Sequence, residues 1–232
     1  MPSKQKVVLI TGSTGELGSE VVKEFANNGY QVVGTVRPGK LESSVNPTIS
    51  YRELDLTSES ACEKFIGVVS QEFGRLDTVV NIAGGFAMGN MENTGEMELD
   101  KMIKLNFKTA YFISKPGFNA MEKLQNFGRI IFVSGKPALT HSIGKETLAY
   151  SISKSMLIQF SDLINEAAKG TGIVSSVVVP GTMNTLSNRN AMPDANCNEW
   201  VKLKNVAKTI AFLGSEDGAE IWDTVIKLYG NS

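Results

Sequence analysis

Tyr150 and Lys154 lie four residues apart in the run Tyr150-Ser151-Ile152-Ser153-Lys154, inside a segment with helical apolar spacing. On a helix that spacing puts a phenol and an ammonium on one face, within reach of one small molecule. A free phenol, with a pKa of about 10, is a poor proton donor or acceptor near neutrality, and a neighbouring cation favours its phenolate. The pair therefore suits general acid/base work. Spacing alone does not single it out, because Tyr111 is followed four residues later by Lys115, so two of the five tyrosines carry the pattern. Pro116, directly after Lys115, predicts a kink or break in that second helix. Other polar candidates are Ser134, which closes the apolar run Arg129 to Val133, and Asn106, which falls among apolar helical positions. A buried amide needs hydrogen-bond partners, so Asn106 either bridges structure or belongs to a polar site. The lone histidine, His141, has no acid or metal partner near it in the sequence and reads as a loop residue.

The elements that would position these groups alternate along the chain. Short β-branched runs predict strands at Val7–Ile10, Tyr30–Val36, Ile49–Leu54, Leu76–Val80, Arg129–Val133, Ile173–Val179 and Ile221–Leu228. Helical spacing predicts helices over Glu16–Asn28, Glu59–Phe73, Glu96–Gln125, Leu148–Lys169 and Val206–Leu213. This order implies an α/β fold: a single-domain, Rossmann-type, doubly wound parallel sheet of about seven strands with helices on both faces, spanning residues 1–232. The polar stretch 182–202 has no convincing periodicity and, lying past a strand's C-terminal end, reads as a substrate lid.

The turn after the first strand reads Thr11-Gly12-Ser13-Thr14-Gly15-Glu16-Leu17-Gly18. Its glycines allow a tight turn, close approach of a pyrophosphate and close packing of the next helix, whose N-terminus attracts phosphate. Arg37 ends the second strand, nineteen residues past Gly18. An arginine there suits the 2′-phosphate of NADP, where an acidic residue would suit NAD. Asp55 can accept from an adenine amino group, and the run Asp55-Leu56-Thr57-Ser58 also reads as a helix cap. Small residues in Asn81-Ile82-Ala83-Gly84-Gly85 would admit a flat cofactor against the backbone.

Composition narrows the partners. Against 23 Lys+Arg stand 24 Asp+Glu, a net charge of -1 without blocks of like charge, which argues against nucleic acid or an anionic membrane and leaves a small molecule. Cys62 and Cys197 have no paired spacing, so neither a disulfide framework nor a zinc site is expected. No apolar leader or run of about 18 apolar residues occurs in the sequence, and a cytoplasmic protein is expected.

Taken together, these motifs resemble the short-chain dehydrogenase/reductase family of NAD(P)-dependent oxidoreductases over the whole chain. The resemblance implies a catalytic tetrad of Asn106, Ser134, Tyr150 and Lys154. In it Tyr150 is the general acid/base, Ser134 orients the substrate carbonyl, and Lys154 binds the nicotinamide ribose and lowers the tyrosine's pKa. Asn106 holds a proton-relay water. The family's Asn-x-Ala-Gly motif falls on Asn81 to Gly84, and its Pro-Gly-x-x-x-Thr segment on Pro180 to Thr185, with Thr185 at the carboxamide. The implied cofactor contacts are Gly12, Ser13, Thr14, Gly15, Leu17, Gly18, Arg37, Asp55, Leu56, Asn81, Ala83, Gly84, Tyr150, Lys154, Pro180, Gly181, Thr182 and Thr185. NADP(H) is the expected cofactor, with NAD(H) as the alternative. A homodimer or homotetramer would pair the long helices around Asn106 and Tyr150.

One departure is Glu16, where the commonest subgroup has a glycine; a carboxylate there repels a pyrophosphate unless its side chain points away. The shifted turn is similar to that of quinonoid dihydropteridine reductases, as are Lys136 to Leu139 and the residues Asn188-Arg189, Met192-Pro193, Ala195 and Trp200. That group has a small apolar residue in place of Ser134 and an acidic one in place of Arg37. The expected activity is hydride transfer between NADP(H) and a carbonyl or imine substrate, with a pterin reductase proper and a catalytically idle dinucleotide-binding regulator as rivals. Phe86, Met88, Met183, Met192 and Trp200 suggest an apolar pocket, though each suits a core equally well.

Overall fold

The structure, a computed structural model, describes residues 5–41, 46–124, 127–222 and 224–231. Seven strands form along it: Val7–Thr11 (β1), Gln31–Val36 (β2), Ile49–Glu53 (β3), Thr78–Asn81 (β4), Gly128–Val133 (β5), Ile173–Pro180 (β6) and Thr224–Leu228 (β7). They pair in the order β3-β2-β1-β4-β5-β6-β7, every neighbour parallel. Runs such as Val7-Val8-Leu9-Ile10-Thr11 are buried along their whole length, as strands covered on both faces must be. Central β1 sets the register, with Val8 beside Val32 of β2 and Leu9 beside Val79 of β4. The order reverses between β1 and β4, and open α/β sheets receive ligands in the crevice at such a point.

Helices Glu16–Asn27 (α1), Glu59–Phe73 (α2), Glu96–Met102 (α3), Thr109–Lys123 (α4), His141–Gly144 (α5), Leu148–Ala167 (α6), Leu186–Ala191 (α7) and Leu203–Leu213 (α8) connect the strands. Helices α1 and α8 pack together over one face, where Val21, Val22, Phe25 and Ile210 meet Val8, Ile10 and Val80. On the other face Ile66, Ile113 and Leu157 from α2, α4 and α6 meet Leu9, Val79 and Ile130. Burying one such side chain stabilises by about 1.5–3 kcal/mol, so the two layers clamp the sheet. Among the described residues no helix is long and apolar enough to cross a membrane. Cys62 lies buried under α2, while Cys197 is half-buried in a 3-10 turn, Cys197–Glu199.

The segment expected as one helix from Glu96 is three pieces: α3, a π turn over Ile103–Lys108, and α4. Its predicted end at Gln125 lies outside the described residues. Pro116 does not break α4, which runs through it to Lys123. Packing of α4 along α2 and onto β4 and β5 outweighs the local cost of the missing donor. His141 opens the short α5 rather than lying in a loop, and the 182–202 stretch contains α7 and the 3-10 turn. Periodicity cannot reveal helices of four to six residues.

At the C-terminal end of β1, Thr11 Oγ1 accepts from the Ile82 amide at 3.0 Å and the Ala83 amide at 3.2 Å, and donates to the Val80 carbonyl at 3.3 Å. One hydroxyl thus fixes the loop after β4 against β1. In Thr11→Val, chemical denaturation is expected to show a loss of about 1–3 kcal/mol, the cost of leaving those partners unmet.

Candidate active site

Helix α6 carries a buried stripe at Ala149, Ser153, Leu157 and Ser161, with Lys154 beside it. The stripe presses α6 onto the sheet and brings Tyr150 and Lys154 to the C-terminal ends of β4 and β5. The start of α6 is stitched to the loop after β4: Leu148 N donates to the Gly89 carbonyl at 2.7 Å, and Gly89 N to the Glu146 carbonyl at 2.9 Å. That stitching sets the Phe86 ring edge-on against Tyr150, with centroids 5.0 Å apart.

Lys154 is buried, and its Nζ donates to the Val133 carbonyl at 2.8 Å. Burial pulls its pKa down to about 8 and pushes the Tyr150 phenol up to about 12. Desolvation of the phenol thus prevails over the stabilised phenolate expected from the neighbouring cation. Asn106 sits on the π turn, a widened helical geometry common at functional sites. Its Oδ1 accepts from Gly85 N at 2.8 Å, and its Nδ2 donates to Ser153 Oγ at 2.9 Å; Ser153 Oγ donates onward to the Tyr150 carbonyl at 2.8 Å. Asn106 therefore bridges the β4 loop to α6. Gly84 is pinned between them: a Cβ there would collide with Asn106 Oδ1 and lie 3.3 Å from Lys154 Nζ. Asn106, Tyr150 and Lys154 are thus brought together.

Ser134 does not join them as expected. Its Oγ donates to the Lys154 backbone carbonyl at 3.0 Å, and no hydrogen bond links it to Tyr150 among the described residues. Side chains alternate across a strand, so the next residue, Gly135, faces the phenol. A Cβ on Gly135 would lie 2.6 Å from Tyr150 Oη. Its backbone is extended, at φ -163 and ψ 151, so any residue could take the conformation; the glycine supplies space. Reading polar residue types overlooked Gly135, and Thr11 as well.

The glycine turn leads into α1, whose N-terminus carries no side-chain cap. Gly12 has φ +64, and a Cβ there would approach Ala83 N to 2.9 Å; a Cβ on Gly18 would overlap the Gly12 carbonyl. Thr14 and Gly15 are exposed at this turn, and Leu17 packs into the core. Two expected contacts point elsewhere. Ser13 Oγ donates to the Thr35 carbonyl at 3.0 Å, and Asn81 Nδ2 donates to Ser114 Oγ at 2.9 Å. Both side chains are buried and tie the sheet to its neighbours. Arg37 is exposed at the end of β2, its guanidinium without an ion pair among the described residues. Asp55 is exposed and its Oδ1 accepts from Thr57 Oγ1 at 2.7 Å and Thr57 N at 2.9 Å, bonds that hold its carboxyl below the usual range. Ser58, not Asp55, caps α2; Leu56 packs half-buried against the core.

Gly181 N donates to the Leu228 carbonyl, continuing the β6 ladder past Pro180, and the Thr182 carbonyl accepts from Val201 N, both at 2.8 Å. Thr185 Oγ1 caps α7 by accepting from Asn188 N at 3.0 Å. Of the apolar candidates, Trp200 is core at 8% exposure and Met183 packs partly buried against the α1/α8 layer. Phe86 and Met88 are exposed at 61% and 67%, and Met192 is also exposed. The rival pair is engaged otherwise, in the groove between α4 and α6: Lys115 Nζ bonds Glu59 at 3.3 Å, and Tyr111 packs on Phe107 and Phe160.

Ser134→Ala is expected to keep turnover while losing about 1 kcal/mol of stability. Gly135→Ala, whose methyl meets the phenol oxygen, should fold normally and lose at least about tenfold in kcat/KM, about 1.4 kcal/mol of transition-state stabilisation. Steady-state oxidation of NADPH and denaturant titration check both.

Comparison with known proteins bears on this site. The short chain dehydrogenase family matches residues 6–196. The 3-oxoacyl-[acyl-carrier-protein] reductase FabG of Haemophilus influenzae is 25% identical, over 97% of this chain and 97% of that protein. The acetoacetyl-CoA reductase of an Acinetobacter species is 29% identical over 77% of this chain and 75% of that protein. Among solved structures, ElxO with NADP bound superposes with a TM-score of 0.87 at 29% identity, covering 97% of this chain and 98% of that one. With its seven-stranded parallel sheet and these relatives, the chain belongs to the short chain dehydrogenase family and is an NAD(P)-dependent oxidoreductase.

Proposed function

We propose that the chain is an NADP(H)-dependent reductase of a carbonyl or imine group, with Tyr150 as the proton donor. The observation that carries this reading is the Tyr150 phenol, pushed up to about 12 by burial, one helix turn from Lys154 and seated over Gly135, where a side chain would collide with it. The residues present fit a dinucleotide: α1 leaves its first amides uncapped, and Gly12 and Gly84 stand where a side chain would collide. When bound, the nicotinamide supplies hydride. At neutral pH Tyr150 holds its proton and can pass it to the substrate oxygen or nitrogen. Lys154 has three N–H donors; one holds the Val133 carbonyl, and the others serve ribose hydroxyls. Asn106 positions the helix face that carries Tyr150 and keeps an acceptor lone pair for a relay water.

Arg37 supports the 2′-phosphate of NADP over NAD, and the ElxO structure with NADP bound agrees with that reading. Asp55, held as a carboxylate, serves the adenine amino group. The exposed Phe86, Met88 and Met192 favour a substrate with an apolar body. The aromatic groove between α4 and α6, lined by Phe107, Tyr111, Phe118, Met156, Phe160 and Leu163, supports pairing with a second copy of the chain. Light scattering is expected to give a dimer or tetramer; a monomer at micromolar concentration refutes the pairing.

Tyr150→Phe is expected to abolish reduction of every member of a panel of 3-oxoacyl thioesters, simple ketones, imines and a quinonoid dihydropterin, while NADPH binding stays within about twofold. Retained turnover would sink the assignment, and wild-type inertness across the panel would favour the regulatory reading. Wild type should bind NADPH more tightly than NADH, and Arg37→Asp should reverse the order. Because the Lys154 ammonium loses its proton above about 8, NADPH affinity is expected to fall as pH rises from 7 to 9. In Lys154→Met that decline disappears.

A further inference from the structure

Glu16 is the first residue of α1, in the turn where a carboxylate would repel a pyrophosphate. Its side chain crosses to the 182–202 stretch. Oε2 accepts from Leu186 N at 2.7 Å and Oε1 from Ser187 N at 3.4 Å. These are the first two amides of α7, and a helix leaves its first-turn amides without intrahelical partners. The third, Asn188 N, is met by Thr185 Oγ1 at 3.0 Å, and the helix's own ladder begins with Arg189 N on the Thr185 carbonyl at 3.0 Å. A six-residue helix does not hold itself together in water, so this one depends on its caps. Two of its three capped amides are met by a residue 170 positions earlier in the chain.

The neck of the stretch is fixed separately, by pairing of Met183 with Val201 and by the Asn184 N bond to the Val201 carbonyl at 2.9 Å. Beyond that neck, the other hydrogen bonds of α7 stay within 182–202: Asn188 Nδ2 to the Met183 carbonyl at 2.8 Å and Arg189 Nε to Asn184 Oδ1 at 2.6 Å. Among the described residues, Glu16 alone joins α7 by hydrogen bonds to the rest of the protein.

We propose that Glu16 is a positioning residue: it latches α7 to the phosphate-binding turn and so holds Thr185 at the cofactor cleft. This role rests on the dinucleotide reading of that turn. The same contact places the Glu16 charge on the positive end of α7, where it is stabilised. Docking the carboxylate there turns an unfavourable residue in the turn into the link between turn and lid.

The test uses the whole chain, as wild type, Glu16→Gln and Glu16→Ala. Hydrogen exchange without cofactor is expected to quicken at Leu186 and Ser187 by at least about tenfold in Glu16→Ala and by less in Glu16→Gln, which keeps one acceptor. Amides of β1 and β5 should be unchanged. Isothermal titration should show NADPH binding weakened roughly three- to tenfold in Glu16→Ala, with adenosine 2′,5′-bisphosphate, which has neither pyrophosphate bridge nor nicotinamide, unaffected. Unchanged exchange at Leu186 and Ser187 overturns the latch. Tighter NADPH binding in Glu16→Ala overturns it too, since simple repulsion would then explain the residue. A wild type that binds neither nucleotide fails the dinucleotide reading itself, a result distinct from the exchange data.

Discussion

Lys154 brings an ammonium group into the interior at 6% exposure, with no carboxylate paired to it among the described residues. Burying a charge this way is costly unless fixed dipoles replace the lost water. The C-terminal edge of the sheet is arranged to meet that demand. The Val133 carbonyl at the end of β5 receives the ammonium, and the next residue, Ser134, holds the backbone carbonyl of Lys154 itself. Gly84 gives up a side chain so that the β4 loop can pass over the amine. Without the parallel sheet there would be no set of strand ends to supply these groups together.

From that point the site is built outward by hydroxyls and amides that do structural work. Thr11 ties β1 to the β4 loop, Asn106 ties that loop to α6, and Ser153 passes the contact on to the Tyr150 carbonyl. The chain of bonds leaves the phenol of Tyr150 free while its backbone is held. In the reading proposed above, a phenol with a fixed backbone and an unencumbered tip is preorganised to give up a proton, since little must move when a substrate arrives. Burial raises the phenol's pKa and lowers the amine's, so at neutral pH the phenol keeps its proton while the ammonium is brought close to its own titration.

Much of this was legible in the sequence because buried parallel strands are short β-branched runs bounded by turn residues, as Val7 to Ile10 and Ile173 to Val179 are. The Tyr150/Lys154 pair was legible because four-residue spacing on a long helix fixes a shared face. Ser134 misled for an equally physical reason. Neighbours on a strand face opposite ways, so a reading one residue out exchanges a hydroxyl for a glycine, and Gly135 has no side chain to announce it. Polar type also did not reveal direction: Ser13 and Asn81 lie in the cofactor motifs but turn inward to tie the sheet. For Glu16 the sequence exposed the electrostatic conflict but not its resolution, because the partner is a helix too short to show periodicity.

The two thiols set in these layers are chemically unequal. Cys62 lies in the core under α2, and burial pushes its pKa up to about 12, so almost none of it is thiolate at neutral pH. Cys197 is half-buried in the 3-10 turn, where its carbonyl accepts from Asn184 Nδ2 at 3.2 Å. A maleimide dye offered to the native protein would therefore attach at a single place, within the same stretch as α7. The unmodified chain thus comes with its own attachment point for a spectroscopic reporter, placed to report any movement of that stretch in solution without engineering a cysteine.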